Sequence, residues 1–193
     1  MTHLKILSLT LISFFFIACG GASDASITTA ETSSYEHAEK TTQDEILNAI
    51  NEARAVARDC QDGNGLISAA PALIWNSDLY SSAYEHSYDL AQSNTFSHYG
   101  SGTASDVTGS NNGDSSYFND RIKANGYVGY KTIGENIAGG QATIEEAISA
   151  WLVSPAHCTN LMNSNFKEIG VAVVSDENSE YGIYWTQSFG AKK

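Results

Sequence analysis

The stretch Trp151-Leu-Val-Ser-Pro-Ala-His157-Cys158-Thr-Asn-Leu-Met162 constrains the fold most, because it makes three unlike demands of one short piece of backbone. Trp151 closes an apolar run that starts at Ile144. Pro155 has no amide hydrogen with which to continue a helix, so the chain must turn or restart there. His157 and Cys158 follow at that bend. An imidazole beside a thiol that can pin the bend covalently is a means of holding one side chain towards a cleft; the alternative is a capped helix start with a surface histidine.

The thiol's partner depends on the compartment. Lys5, the apolar run Ile6 to Ile17 and the small residue Ala18 before Cys19 read as an export signal, too short to cross a bilayer comfortably. Phe16-Ile17-Ala18-Cys19 also resembles the bacterial lipobox. That resemblance implies a signal peptide over residues 1–18, cut before Cys19, and acylation of the Cys19 thiol. The expected location is the bacterial cell envelope, with the membrane held through the N-terminal lipid. Gly20 follows the cysteine where Asp would stand in the other class, which leans towards the outer membrane in a host with two. The alternative is an ordinary secretory signal and an unpaired Cys19.

Setting Cys19 aside leaves Cys60 and Cys158, an even pair in an exported chain, for which a single disulfide is the default. Two reduced thiols acting as ligands are the competing reading. The formal net charge of −12 argues against nucleic acid as a partner. Anionic headgroups would repel such a surface too, which leaves attachment to the lipid and not to the domain.

Gly20 to Thr41 is rich in Ser, Thr, Ala and Gly and poor in large aliphatic residues, so residues 19–41 read as a flexible tether. The folded domain is expected over 42–193. Thr42-Gln-Asp-Glu45 is a capping box, and Ile46, Ile50, Ala53 and Ala57 follow at helical spacing, giving a helix expected to end near Cys60. Asn76 caps a second helix with Leu79, Ala83, His86, Leu90 and Ala91 near one face. His86 falls among core positions and reads as a buried, hydrogen-bonded histidine in preference to a ligand.

His98 lies in the loop after that helix. Ser101 to Ser116, Gly-, Ser- and Asn-rich without a period, reads as a mobile surface loop. A short helix is expected over Tyr117 to Asn125. The glycines around Glu135 and Asn136 predict a sharp backbone bend there. Thr143-Ile-Glu-Glu146 is a second capping box, opening the helix to Trp151. Val171 to Val174 and Tyr184 to Phe189 are strand-like, with Asp176 to Ser179 as a hairpin turn. Early helices and late adjacent strands predict an α+β domain in which helices cover an antiparallel sheet.

Leu73-Ile-Trp-Asn76, Ala83-Tyr-Glu-His-Ser87, Phe96-Ser-His98, Gly134-Glu-Asn-Ile-Ala138, Trp151 to Met162 and Tyr184-Trp-Thr-Gln187 together resemble the CAP superfamily of cysteine-rich secretory, antigen 5 and pathogenesis-related proteins. The likeness covers about Thr42 to Gly190 and is strongest to the bacterial SCP-domain branch. It implies an α-β-α sandwich with a central cleft, lined in many eukaryotic members by two His and two Glu. His98 and Glu135 match the first of each. Ser154 stands where the second Glu is expected, and Tyr184 where the second His is expected. His157 is a substitute in the bacterial Ser-Pro-x-His pattern, and Cys60 and Cys158 fit a disulfide of similar bacterial sequences.

The resemblance thus implies a polar cleft of His98, Glu135 and His157, with Asn136, Ser154 and Tyr184 as supporting groups. Two imidazoles and a carboxylate would suit zinc or another divalent cation with open water positions, giving His98, His157 and Glu135 as its ligands. A serine-protease reading of Ser154 and His157 lacks the Gly-x-Ser-x-Gly turn. The leading expectation is a non-enzymatic, lipid-anchored module that binds a lipid, another small apolar ligand or an envelope component. The alternative is a cell-envelope hydrolase, with His98, Glu135 and His157 as its catalytic candidates.

Overall fold

A computed structural model describes residues 38–193; the export signal, Cys19 and most of the tether lie outside the described residues. Packing begins before the first capping box, since Ala38 is buried in the main core and Glu39 accepts a hydrogen bond from the Ser175 amide.

The first helix, α1 (Gln43–Arg54), starts as expected: Thr42 accepts from the Glu45 amide and Glu45 reaches back to the Thr42 amide. It stops at Arg54, earlier than its apolar spacing suggested. Arg54 is buried, and its guanidinium donates to the carbonyls of Pro71, Leu161 and Asn163, tying the helix end to two later loops. Beyond it the chain forms a small antiparallel ribbon of β1 (Arg58–Asp59) and β2 (Leu66–Ile67).

The main sheet has four strands: β3 (Ile74–Trp75), β4 (Tyr130–Gly139), β5 (Glu168–Ser175) and β6 (Ile183–Lys192), in the order β3-β5-β6-β4. The short β3 runs parallel to β5, and the other pairs are antiparallel. Each strand alternates between two covered faces. On one face Ile169, Val171, Trp185, Phe189 and Ala138 meet Ile46 and Ile50 of α1, Ile148 and Trp151 of α5 (Ile144–Val153), and Leu161 of α6 (Pro155–Leu161). The other face receives α2 (Ser77–Ser93), with Leu90 and Ala91 against Ile137, Val174 and Tyr184. The result is a three-layer α-β-α sandwich.

Helix α2 approaches the sheet with no side chain between. A Cβ on Gly170 of β5 would stand 2.0 Å from the Tyr80 amide nitrogen, so only glycine permits this contact. Ser87 also bridges layers, donating to the Thr186 hydroxyl at 2.8 Å.

Two expectations are corrected. The segment around Glu135 and Asn136 is not a sharp bend; it is the extended strand β4, paired with β6 from Tyr130 to Gly139. Its glycines serve close packing: a Cβ on Gly134 would meet the Phe166 ring at 2.7 Å, and one on Gly139 the Tyr181 ring at 2.9 Å. Nor is Ser101 to Ser116 a structureless loop. Buried Asp106 accepts from the amides of Gly102, Gly109 and Ser116 and from the Ser116 hydroxyl, organising α3 (Val107–Asn112). Burial opposes ionisation of Asp106, but those four donors prevail and hold its carboxyl below the ordinary range. α4 (Phe118–Ala124) follows where a short helix was expected.

Candidate functional site

Strand β4 lies at the edge of the sheet, so both helical layers can reach around it. Alternation turns Glu135 towards α2 and α4 and Asn136 towards α6. These neighbours therefore serve opposite sides of one site.

On the first side, Glu135 is buried and holds three basic groups. Its Oε1 accepts from His98 Nδ1 at 2.9 Å and lies 3.8 Å from His86 Nε2, while Oε2 accepts from Arg121 at 2.9 Å. Arg121 is itself buried, and also donates to the Ser116 hydroxyl and the His98 carbonyl, fixing the His98 loop at its backbone. His86 is fully buried; its Nε2 donates to the Ser97 carbonyl at 2.9 Å, and its Nδ1 has no hydrogen-bond partner. Burial lowers the His86 pKa to about 4, outweighing the opposing pull of Glu135. Burial also works against the charge of Glu135, yet its carboxyl is held below the ordinary range by its basic neighbours and hydrogen bonds. Since His86 is neutral near pH 7, the permanent charge that keeps Glu135 ionised is Arg121.

On the second side, Pro155 restarts the chain as α6, and His157 sits in its first turn. The Cys60–Cys158 disulfide, with Cα atoms 5.5 Å apart, ties α6 to the segment after β1. Asn136 donates to the His157 carbonyl at 3.0 Å and to Gln187 at 3.1 Å, and accepts from Asn160. The backbone of His157 is thereby held twice, once covalently through its neighbour and once from the sheet. Burial and the nearby His98 both lower the pKa of His157, which favours a neutral ring.

The two histidines meet across the outer edge of β4, with ring centroids 6.2 Å apart. With Nδ1 of His98 donating to Glu135, Nε2 is the nitrogen of that ring left for another partner. The His98 side chain is 39% exposed, against 1% for Glu135, so the pair presents one accessible nitrogen on a buried base. Phe96 and Tyr99 stand on either side of His98 in the chain: Phe96 packs on Tyr181 and Tyr99 stacks on Tyr117, and Phe96, Tyr99 and Tyr181 all keep exposed surface.

The other predicted residues stand further back. Asn136 is wholly buried and acts on the His157 backbone. Ser154 precedes α6; its carbonyl accepts the Cys158 amide, and its hydroxyl makes no cap bond. Tyr184 is fully buried on the α2 face, with its hydroxyl 3.5 Å from Asn94. His86 is the buried, hydrogen-bonded histidine expected from its place on the helix, and stands against Glu135 as well, while Arg121 was not foreseen. His86 carried a signal, an imidazole on the core face of α2; Arg121, in the short helix beside Lys123, carried none.

Among the described residues no three His, Cys, Asp or Glu side chains converge to hold one metal ion. Glu135 directs one oxygen to His98 and the other to Arg121. A resident ion held jointly by His98, Glu135 and His157 therefore does not fit this arrangement.

Comparison with known proteins agrees with this architecture. Residues 47–189 match the profile described as the cysteine-rich secretory protein family, CAP. The chain is 48% identical over 73 residues to the uncharacterized protein YkwD of Bacillus subtilis, covering 38% of this chain and 26% of that one. It is 31% identical over 121 residues to the uncharacterized membrane protein YlbC of the same organism, covering 61% and 28%. The chain thus spans only about a quarter of the length of these relatives. Among solved structures, an extracellular SCP-domain protein of Bacillus anthracis aligns over 90% of this chain and 45% of its own, with TM-score 0.55 at 24% identity. An outer surface protein of Borrelia burgdorferi aligns over 79% and 97%, with TM-score 0.55 at 20% identity.

Proposed function

Since the chain belongs to the cysteine-rich secretory protein family, CAP, we infer that it is an extracytoplasmic binding module, held to the envelope through a lipid on Cys19. The observation that carries the reading is the pair of imidazoles at the β4 edge, backed by buried Glu135 and Arg121, with exposed Phe96 and Tyr99 on either side of His98 in the chain. Such a site suits an amphiphile. A polar head would accept from or donate to His98 Nε2 and His157, and an apolar body would lie on Phe96, Tyr99 and Tyr181. The signal-like run and lipobox support the location, as do the words membrane and outer surface in the names of two similar proteins.

The second reading, a hydrolase, is favoured by one feature: a carboxylate that orients an imidazole is the usual partner of a general base. Among the described residues no serine hydroxyl is bonded to His98 and no three-ligand metal cluster accompanies it, so His98 would have to activate water unaided.

Titration with a fluorescent long-chain fatty acid tests the binding reading. Saturable enhancement should appear, and His98→Ala and His157→Ala should each weaken it by roughly tenfold, as expected for loss of a hydrogen bond to a polar head. Circular dichroism should stay unchanged in both. Absence of saturable binding, or an affinity in both variants unchanged from that of the unaltered chain, would overturn the reading. An ester or amide turnover lost in both variants would favour the hydrolase.

A further inference from the structure

The solvent side of α2 carries an arrangement that the cleft does not use. Tyr80, Tyr84 and Tyr88 recur every fourth residue, so they form one line along the helix, outside the buried line of Leu79, Ala83, His86 and Leu90. They remain 40%, 47% and 39% exposed. Trp75 extends the line at one end: Trp75–Tyr80, Tyr80–Tyr84 and Tyr84–Tyr88 centroids lie 5.7, 6.3 and 6.3 Å apart. The last two planes are nearly parallel, at 16°. A solvent-facing helix surface normally carries Lys, Glu or Gln, which are also better helix formers than Tyr. Mutual ring contact gives some return, but it leaves a contiguous aromatic strip in water.

Beside the strip runs an open groove of about 710 Å³ whose other lining residues include Ser81, Glu85, Ser105, Val107 and Asn125. Most of these are hydroxyl, amide and carboxylate groups. Glu85 is held in place by the Thr108 amide and by Asn125, so the polar side of the groove has a fixed geometry. Among the described residues no Lys or Arg lines it, and the formal charge of the chain is −12.

We propose that this groove is a second binding site, for a neutral, extended β-linked polysaccharide strand laid along the Trp75–Tyr80–Tyr84–Tyr88 line. Each pyranose offers a face of C–H groups, which an aromatic face attracts through its negative quadrupole, and an edge of hydroxyls, which the Ser, Asn and Glu groups can bond. The regular ring spacing, close to one sugar unit of an extended strand, matches a repeating ligand. A lipid surface or nucleic acid is disfavoured, because both present anions to an acidic groove without a basic residue. The groove shares no lining residue with the histidine pair and stands or falls separately from it.

The test is titration of the full chain with soluble β-1,4-linked hexasaccharides of glucose and of N-acetylglucosamine, followed by tyrosine fluorescence. At least one should bind saturably. The double variant Tyr84→Ala, Tyr88→Ala should bind it roughly tenfold more weakly or worse, since each ring contact is comparable to an aromatic pair. Tyr84→Phe with Tyr88→Phe should retain most of the affinity, and thermal unfolding should be the same in all three proteins. The proposal is overturned if neither hexasaccharide binds, or if the alanine variant binds as well as the unaltered chain. It is equally overturned if the alanine variant loses self-association or vesicle binding while hexasaccharide binding is unchanged.

Discussion

His86 shows how one side chain can set the acid tolerance of the site. In the fold its pKa is lowered to about 4, chiefly by burial, whereas in the unfolded chain it returns to near 6.5. Above pH 6.5 the ring is neutral in both states and costs nothing. As pH falls from about 6.5 towards 4, the unfolded chain takes up a proton that the folded one refuses, so stability is lost across that window. Glu135, Arg121 and Asp89 are the charges that act on the ring. Urea unfolding at intervals from pH 7.5 to 4.5 should show a loss on the order of a few kcal/mol, and His86→Leu should flatten the profile. An unchanged slope in the variant would place the acid sensitivity elsewhere. At this scale the sequence was only half legible. His98 and Glu135 were visible because they stand in recognisable motifs, while Arg121 was not, since a basic residue in a short helix looks the same from sequence whether it faces water or a buried carboxylate.

Among the elements, α6 depends most on a remote anchor. It is short, begins at a proline and carries His157, and the disulfide joins it to a residue 98 positions earlier in the chain. Closing a loop of that size stabilises by about 4–5 kcal/mol in the chain-entropy view. Cys60→Ala with Cys158→Ala should therefore lower the unfolding free energy by about 2–5 kcal/mol in urea titration. It should also raise hydrogen exchange at the amides of α6 above that of α2, and uniform change across both helices would show that α6 is not specially dependent. Helix starts were legible because Thr42, Asn76 and Thr143 announce themselves through cap chemistry that acts within three residues. Strand β4 was not. Its Gly134 and Gly139 answer to the rings of Phe166 and Tyr181, which come from distant sequence, and its polar Glu135 and Asn136 are both buried, so no alternation of apolar and polar residues marks it.

For the whole molecule, the question is what holds the domain in place. No helix among the described residues is long and apolar enough to cross a membrane, and Cys19 lies outside them. Under the lipid-anchor reading, Cys19→Ser should move the protein from the membrane fraction to the soluble fraction on cell fractionation, with the unfolding midpoint of the domain unchanged. Continued sedimentation with membranes would count against acylation.

The strand order has a bearing on time as well as on shape. β6, the last of the four strands in the chain, lies between β5 and β4 and gives α2 part of its packing surface. Until it arrives, β4 and β5 have no partner in common, and the earlier helices have no finished surface to dry against. Synthesis or passage through a pore from the N-terminal side would keep this domain pliable until β6 emerged, and only then would the layers close cooperatively.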